Sequence, residues 1–162
     1  MTKQVLILGA TGQIAGQAIA ALLDKTDDHL LLFTRPPQHL TVTDEARGTV
    51  IKGDTLDTAS LDAAVAQADV VYANLRNPEI EQQAKNIVAA MDKNKVKQLV
   101  WISSIGIYDE VPGKFGEWNN EMLGGGQEDS YLGTYRKTAD VISASDLGYT
   151  IIRPAWLTNK DE

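Results

Sequence analysis

A three-layer α/β fold built on a doubly wound parallel sheet is what the 162-residue chain predicts. Three observations carry that expectation. Short runs rich in Val, Ile and Leu alternate with longer amphipathic runs from end to end, the pattern of strands joined by crossover helices. The first apolar run, Val5-Leu6-Ile7-Leu8, leads into Gly9-Ala10-Thr11-Gly12-Gln13-Ile14-Ala15-Gly16, a glycine turn that opens a helix. No linker or internal repeat interrupts the series, and 162 residues of 43% hydrophobic content fit one domain over 1–162 with a sizeable core.

Each element has its own local reason. A strand is expected at Gln4–Leu8 and a helix at Gly12–Leu23, with Ile14, Ala18, Ala21 and Leu22 as its apolar stripe. Leu30–Thr34 is the second strand, stopped by Pro36 and Pro37, and Thr49–Lys52 is the third. Thr58 or Ser60 caps a helix through Gln67, with Asp57 favoured at its start by the helix dipole. Val70–Ala73 is a fourth strand, Glu79–Lys93 a long helix and Gln98–Ser103 a fifth strand. After Ser104 the pattern loosens through Gly106, Pro112, Gly113, Gly116 and Gly124-Gly125-Gly126, and a long mobile excursion is expected there. Tyr131–Ser145 then reads as a helix and Tyr149–Arg153 as a sixth strand ended by Pro154.

Composition removes several functions. A net charge of −7 and a pI near 4.8 leave no basic face for nucleic acid or an anionic membrane surface. With no cysteine, disulfides, thiolate catalysis and cysteine metal sites are excluded. His29 and His39 match no zinc spacing, read as surface residues, and no metal is expected. The acidic pairs Asp27-Asp28, Asp109-Glu110 and Glu128-Asp129 read as solvated loop charges. Neither a leader pattern nor an apolar stretch of about 18 residues is present, so a cytoplasmic protein is expected, as a monomer or weak homo-oligomer.

The residues that carry chemistry lie at strand ends. Gly9 permits a tight turn, Gly12 admits backbone close to a pyrophosphate, and Gly16 is expected to let the helix pack close to its strand. The helix N-terminus then offers N–H donors and a positive dipole end to phosphate. Arg35 follows the second strand, where a planar guanidinium suits a ribose 2′-phosphate; a solvated surface arginine is the alternative. Asp54 has two compatible roles, accepting from an adenine amino group or capping the next helix. Asn74 either lines the cofactor cleft or stabilises a turn. Ser103 and Ser104 end the fifth strand, where a hydroxyl donates to a substrate carbonyl or satisfies local backbone. Tyr108 either closes that pocket or packs. Tyr131 and Tyr135 share one helix face, with Lys137 on another; a phenol beside that lysine would have its pKa lowered, and a packed aromatic pair is the competing reading.

Gly9 to Gly16, Gly53-Asp54, Ser103-Ser104-Ile105-Gly106-Ile107-Tyr108 and Tyr149-Thr150-Ile151-Ile152-Arg153-Pro154 together resemble the atypical and extended short-chain dehydrogenase/reductases. Within them the chain is similar to the small NmrA-like NAD(P)-binding group that also contains flavin and biliverdin reductases. The likeness covers nearly the whole chain and implies a Rossmann-like fold with NADP as cofactor, NAD being the lesser alternative. It implies that Thr11, Gly12, Gln13 and Ile14 hold the cofactor phosphates beside Gly9, that Arg35 holds the 2′-phosphate, and that Asp54 with Thr55 meets the adenine. Asn74, Leu75 and Ser103 complete the cofactor set, and Ser104 matches the active-site serine. Where the family has tyrosine, three residues, then lysine, this chain has Tyr131 and Tyr135; aligning Lys137 instead puts Gly133 at the tyrosine position. Either way the proton-relay pair is broken. A reduced C-terminal substrate region is expected as well, since relatives usually continue past the point where this sequence stops. The function implied is an NADP(H)-dependent reductase of a small carbonyl, quinone or flavin-type acceptor, acting through Ser104, Tyr131, Tyr135 and Lys137. The alternative is a non-catalytic NADP-binding redox sensor; a nucleotide-sugar epimerase would need the relay and a substrate lobe.

Overall fold

The strand β1 (Gln4–Leu8) sets the layering, because its side chains alternate between two separate apolar clusters. The structure, a computed structural model, describes residues 1–36, 40, 42–76 and 78–160; Pro37 and His39 lie outside the described residues. Leu6 and Leu8 join the cluster built by α2 (Thr58–Val65), α3 (Ile80–Asn94) and α5 (Tyr131–Ser143). Val5 and Ile7 face the other way, toward Ala15, Ile19, Leu22 and Leu23 of α1 (Gln13–Lys25). Fully burying a side chain such as Leu6 or Ile7 contributes roughly 1.5–3 kcal/mol, so this one strand ties both layers to the sheet.

The sheet is six-stranded and parallel at every pairing, in the order β3-β2-β1-β4-β5-β6. The remaining strands are β2 (His29–Thr34), β3 (Gly48–Lys52), β4 (Val70–Ala73), β5 (Gln98–Ile102) and β6 (Gly148–Ile152). Their order reverses between β1 and β4, the switch point at which an open α/β sheet leaves a crevice beyond its carboxyl ends. Beyond β4 the α1 side of the sheet is only partly covered, leaving Ile152 44% exposed at the β6 edge.

Several local expectations are corrected. The stripe of α1 packed on the sheet runs through buried Ala15 and half-buried Ile19, Leu22 and Leu23; of the expected face Leu22 belongs to it, whereas Ala21 is exposed and Ile14, half-buried, lies outside that cluster. Helix α2 is capped by Asp57, whose side chain accepts from the Ala59 N–H at 3.2 Å, and not by Thr58 or Ser60. The segment after Ser104 is not a structureless excursion, since Gly113–Leu123 forms α4. Gly116 inside it is a packing residue: a Cβ there would sit 1.8 Å from the Val111 carbonyl oxygen. His29 is half-buried within β2, its Nε2 2.9 Å from the Thr49 hydroxyl on the neighbouring strand.

Candidate functional site

Gly9 and Gly12 are fixed by one neighbour, Asn74. Gly9 has φ +75°, and a Cβ on it would meet the Asn74 carbonyl oxygen at 2.1 Å; a Cβ on Gly12 would meet the Asn74 side-chain nitrogen at 2.6 Å. Asn74 itself continues the β1–β4 ladder, donating its backbone N–H to the Leu8 carbonyl at 3.0 Å. Asn74 therefore ties the glycine turn to β4 at the switch point. Gly12, which has no side chain to cap with, is the N-cap of α1, and no acidic residue occupies the first turn. Within the first turn of α1, no carboxylate competes with a phosphate for the N–H donors. Gly16 behaves differently from expectation: a Cβ there meets nothing within 4 Å, and the close helix–strand contact falls to buried Ala15 instead.

Arg35 lies exposed immediately after β2 and has no ion pair or hydrogen bond among the described residues. Asp54 folds the chain after β3: its carboxylate accepts from the Leu56 N–H at 2.9 Å, leaving the capping of α2 to Asp57. Thr55 beside it is buried, its carbonyl accepting from the Asn86 side chain at 3.0 Å. Thr11 and Gln13 are exposed on the turn, and Ile14 is half-buried.

On the far side of the crevice, Ser103 and Ser104 follow β5, and both are buried. The Ser103 N–H donates to the Ile152 carbonyl at 2.7 Å, extending the β5–β6 ladder, but its hydroxyl has no partner among the described residues. The Ser104 hydroxyl makes a long 3.3 Å bond to the Ile105 carbonyl. A buried hydroxyl without a partner costs free energy, so Ser103 and the weakly held Ser104 are the groups here that gain most from an incoming polar ligand.

The start of α5 supplies the phenols. Ser130 caps the helix by accepting from the Gly133 N–H at 3.0 Å, and Tyr131 and Tyr135 then stack with ring centroids 4.3 Å apart. Tyr135 is buried and donates its hydroxyl to the Leu75 carbonyl at 3.3 Å, whereas Tyr131 is 38% exposed. A Cβ on Gly133 would lie 2.0 Å from the Gln127 carbonyl oxygen, so this position admits no side chain in the present backbone. Lys137 does not acidify Tyr135. The Lys137 ammonium is 3.3 Å from Asp129 and 3.8 Å from Glu128, and the Asp129 bond raises its pKa. Burial, with the Tyr131 hydroxyl next to it, pushes the Tyr135 phenol well above the usual range.

Two groups were not legible as parts of this region. Glu110 is no solvated loop charge: it accepts from the Gly106 and Tyr108 N–H groups, each at 2.9 Å, and pairs with Arg153. Burial opposes its ionisation, but those N–H donors and Arg153 outweigh it and hold its carboxyl below the ordinary value. Tyr108 is 39% exposed and lines a cavity with Gly106 and Arg136, with Arg136 4.6 Å and Arg153 5.1 Å from its ring centre. Arg76, exposed after β4, is the second; nothing in its local sequence distinguishes it from a surface charge.

A crevice at a switch point, with a helix N-terminus free of acidic residues in its first turn behind two obligatory glycines, fits a dinucleotide. The comparisons agree. Residues 9–162 match a family model described as NAD(P)H-binding. No curated protein matches the sequence. A short-chain dehydrogenase/reductase (wide type) from Veillonella parvula, solved in complex with NADP, is 32% identical with TM-score 0.85, over 100% of this chain and 73% of its own. A Rossmann-fold NAD(P)-binding family protein from Shigella flexneri is 38% identical with TM-score 0.78, over 100% of this chain and 72% of its own. An anaerobillin reductase from Escherichia coli O157:H7, 15% identical with TM-score 0.73 over 93% of this chain and 72% of its own, shares the fold. The chain belongs to the NAD(P)H-binding family of Rossmann-fold, short-chain dehydrogenase/reductase-like proteins.

Proposed function

We propose that the protein is an NADP(H)-dependent reductase of a small carbonyl, quinone or flavin-type acceptor. One observation carries the reading: the glycine-capped N-terminus of α1, with no acid in its first turn, and the under-bonded Ser103–Ser104 pair stand on the same carboxyl edge of the sheet. In this reading Gly9, Thr11, Gly12, Gln13 and Ile14 receive the pyrophosphate, and Arg35 takes the 2′-phosphate. Asp54 and Thr55 meet the adenine, while Asn74, Leu75 and Ser103 line the nicotinamide side. NADPH supplies the hydride when bound. Ser104 exchanges its long bond to Ile105 for one to the acceptor oxygen or nitrogen, stabilising the negative charge that develops there. Tyr131, the exposed phenol, delivers the proton. Tyr135 is a positioning residue that holds Tyr131 by stacking while anchored to Leu75. Lys137, tied to Asp129, contributes only a distant positive charge. A cytoplasmic monomer or weak homo-oligomer suits this reading.

The test is NADPH oxidation with a panel of quinones, flavins and aldehydes, compared with Ser104→Ala. Turnover that falls at least tenfold in the variant is expected, a loss of about 1.4 kcal/mol in transition-state stabilisation; no turnover with any acceptor sinks the reading. The ion pair of Lys137 with Asp129, which engages the one lysine of the relay region, favours a second reading as a redox sensor that holds NADP without consuming it. Tight NADP binding by calorimetry, without turnover and with a protein partner recovered in pull-down, would decide for it.

A further inference from the structure

Helix α4 turns most of its apolar surface outward. Its buried positions are Gly116 and Asn119, and among its apolar side chains only Leu123 packs on the core, so Phe115, Trp118 and Met122 are left facing water. A surface helix ordinarily does the reverse. Trp156, in the segment after β6, joins this stripe: its ring centroid is 4.8 Å from that of Trp118, which is itself 5.8 Å from Phe115. The Trp156 indole N–H donates to the side-chain oxygen of buried Asn119 at 2.8 Å, so the three rings are already ordered and lose little freedom when covered. Phe115, Trp118, Met122, Trp156 and Leu157 are each between 42% and 66% exposed. With about 150–250 Å² for each aromatic side chain, the five leave roughly 500 Å² of apolar surface in water. That is about the apolar share of the roughly 800 Å² that a standard interface takes from each partner.

Charge decides what fits there. At about 3.6 residues per turn, Lys114 and Glu121 fall on one flank of Trp118, and Phe115 and Met122 on the other. Lys114 and Glu121 are exposed, and neither has an ion pair among the described residues. When two copies of α4 cross antiparallel about a two-fold axis at Trp118, each flank meets itself reversed. Phe115 then comes against Met122 of the second copy, and Lys114 against Glu121 of the second copy. A stripe that matches its own reversed image, in charge and in apolar pattern, is what an isologous contact requires.

We propose that the α4 stripe, with Trp156 and Leu157 beside it, is a homodimer surface on which two copies of the chain pack α4 against α4, antiparallel about Trp118. Such a dimer holds whether or not the reductase reading does. Sedimentation velocity over a range of protein concentrations measures it. The parent is a dimer with a micromolar or tighter dissociation constant. Trp118→Glu weakens it at least about a hundredfold, because two carboxylates then face each other at the apolar centre. Lys114→Glu and Glu121→Lys each weaken it about tenfold, since like charges then meet across the axis. Mixed in equal amounts, these two variants recover the parent's affinity as a heterodimer in which every glutamate again faces a lysine. All three positions are exposed, and far-UV circular dichroism checks that the fold is kept. A parent that stays monomeric up to about 100 μM, whether the patch is bare or answers to a partner of another kind, overturns the proposal. So does a dimer that survives Trp118→Glu, or a mixture of the charge variants that associates no better than either alone.

Discussion

Gly9 and Gly16 belong to one motif and make opposite demands. Gly9→Ala places a methyl group against the Asn74 carbonyl in a positive-φ conformation, so we expect a loss of about 2–4 kcal/mol from conformational strain and overpacking together. Gly16→Ala adds a methyl group to open space on a helix and should raise stability by about 0.5–1 kcal/mol. Urea unfolding of the two variants without ligand measures both; a destabilised Gly16→Ala would mean that the helix packs more closely than described. Arg35 supports a separate expectation: NADPH should bind at least about tenfold more tightly than NADH, a gap of about 1.4 kcal/mol, and Arg35→Ala should abolish it. Calorimetric titration of both nucleotides decides that point. The glycine spacing was readable in the sequence because it is local. What each glycine touches was not, since Asn74 arrives from another strand.

At the scale of elements, the strands and the long helices were legible because each buries a regular apolar face. Helix α4 was not. Its Phe115, Trp118 and Met122 recur at helical spacing, but all three are exposed, and Gly116 with the flanking glycines imitates a loop. The start of α5 was legible as a helix, yet its function depends on tertiary partners: Lys137 is claimed by the acidic pair before the helix, and Tyr135 by a carbonyl after β4. Ser130 holds that start together, accepting from Gly133 and donating toward the Gly124 and Gln127 carbonyls, each at 2.6 Å. Ser130→Ala should cost about 1 kcal/mol in urea unfolding, the usual worth of an N-cap. An unchanged midpoint would show that the tyrosine stack, not the cap, fixes this turn.

The whole molecule has a predictable response to pH. Glu110, Asp62 and Asp44 all have lowered pKa values. A carboxylate lowered by folding adds stability that is present above its unfolded value and is lost as pH falls through the folded one. The melting temperature should therefore drop as pH falls below about 4.5, the upper of the two reference values, 3.8 and 4.5, for these groups. Lys137 and Tyr135 are raised, so their contribution is full below their reference values of 10.5 and 10.0 and declines above them. Between these edges the described shifts predict a plateau. Calorimetric scans across pH test it, and Glu110→Gln should flatten part of the acid limb. A bell-shaped peak near neutrality would contradict the assignment.

The meeting of Asn74 with Gly9 and Gly12 also governs which sequences this turn tolerates. Gly12 is blocked by the end of a side chain, so an alanine at 12 becomes acceptable once Asn74 is shortened, and the two changes are less costly together than their separate effects imply. Gly9 is blocked by backbone, which no substitution at 74 removes. Position 12 can therefore drift in company with 74, whereas position 9 has no permissive partner and stays glycine for as long as β4 lies beside β1.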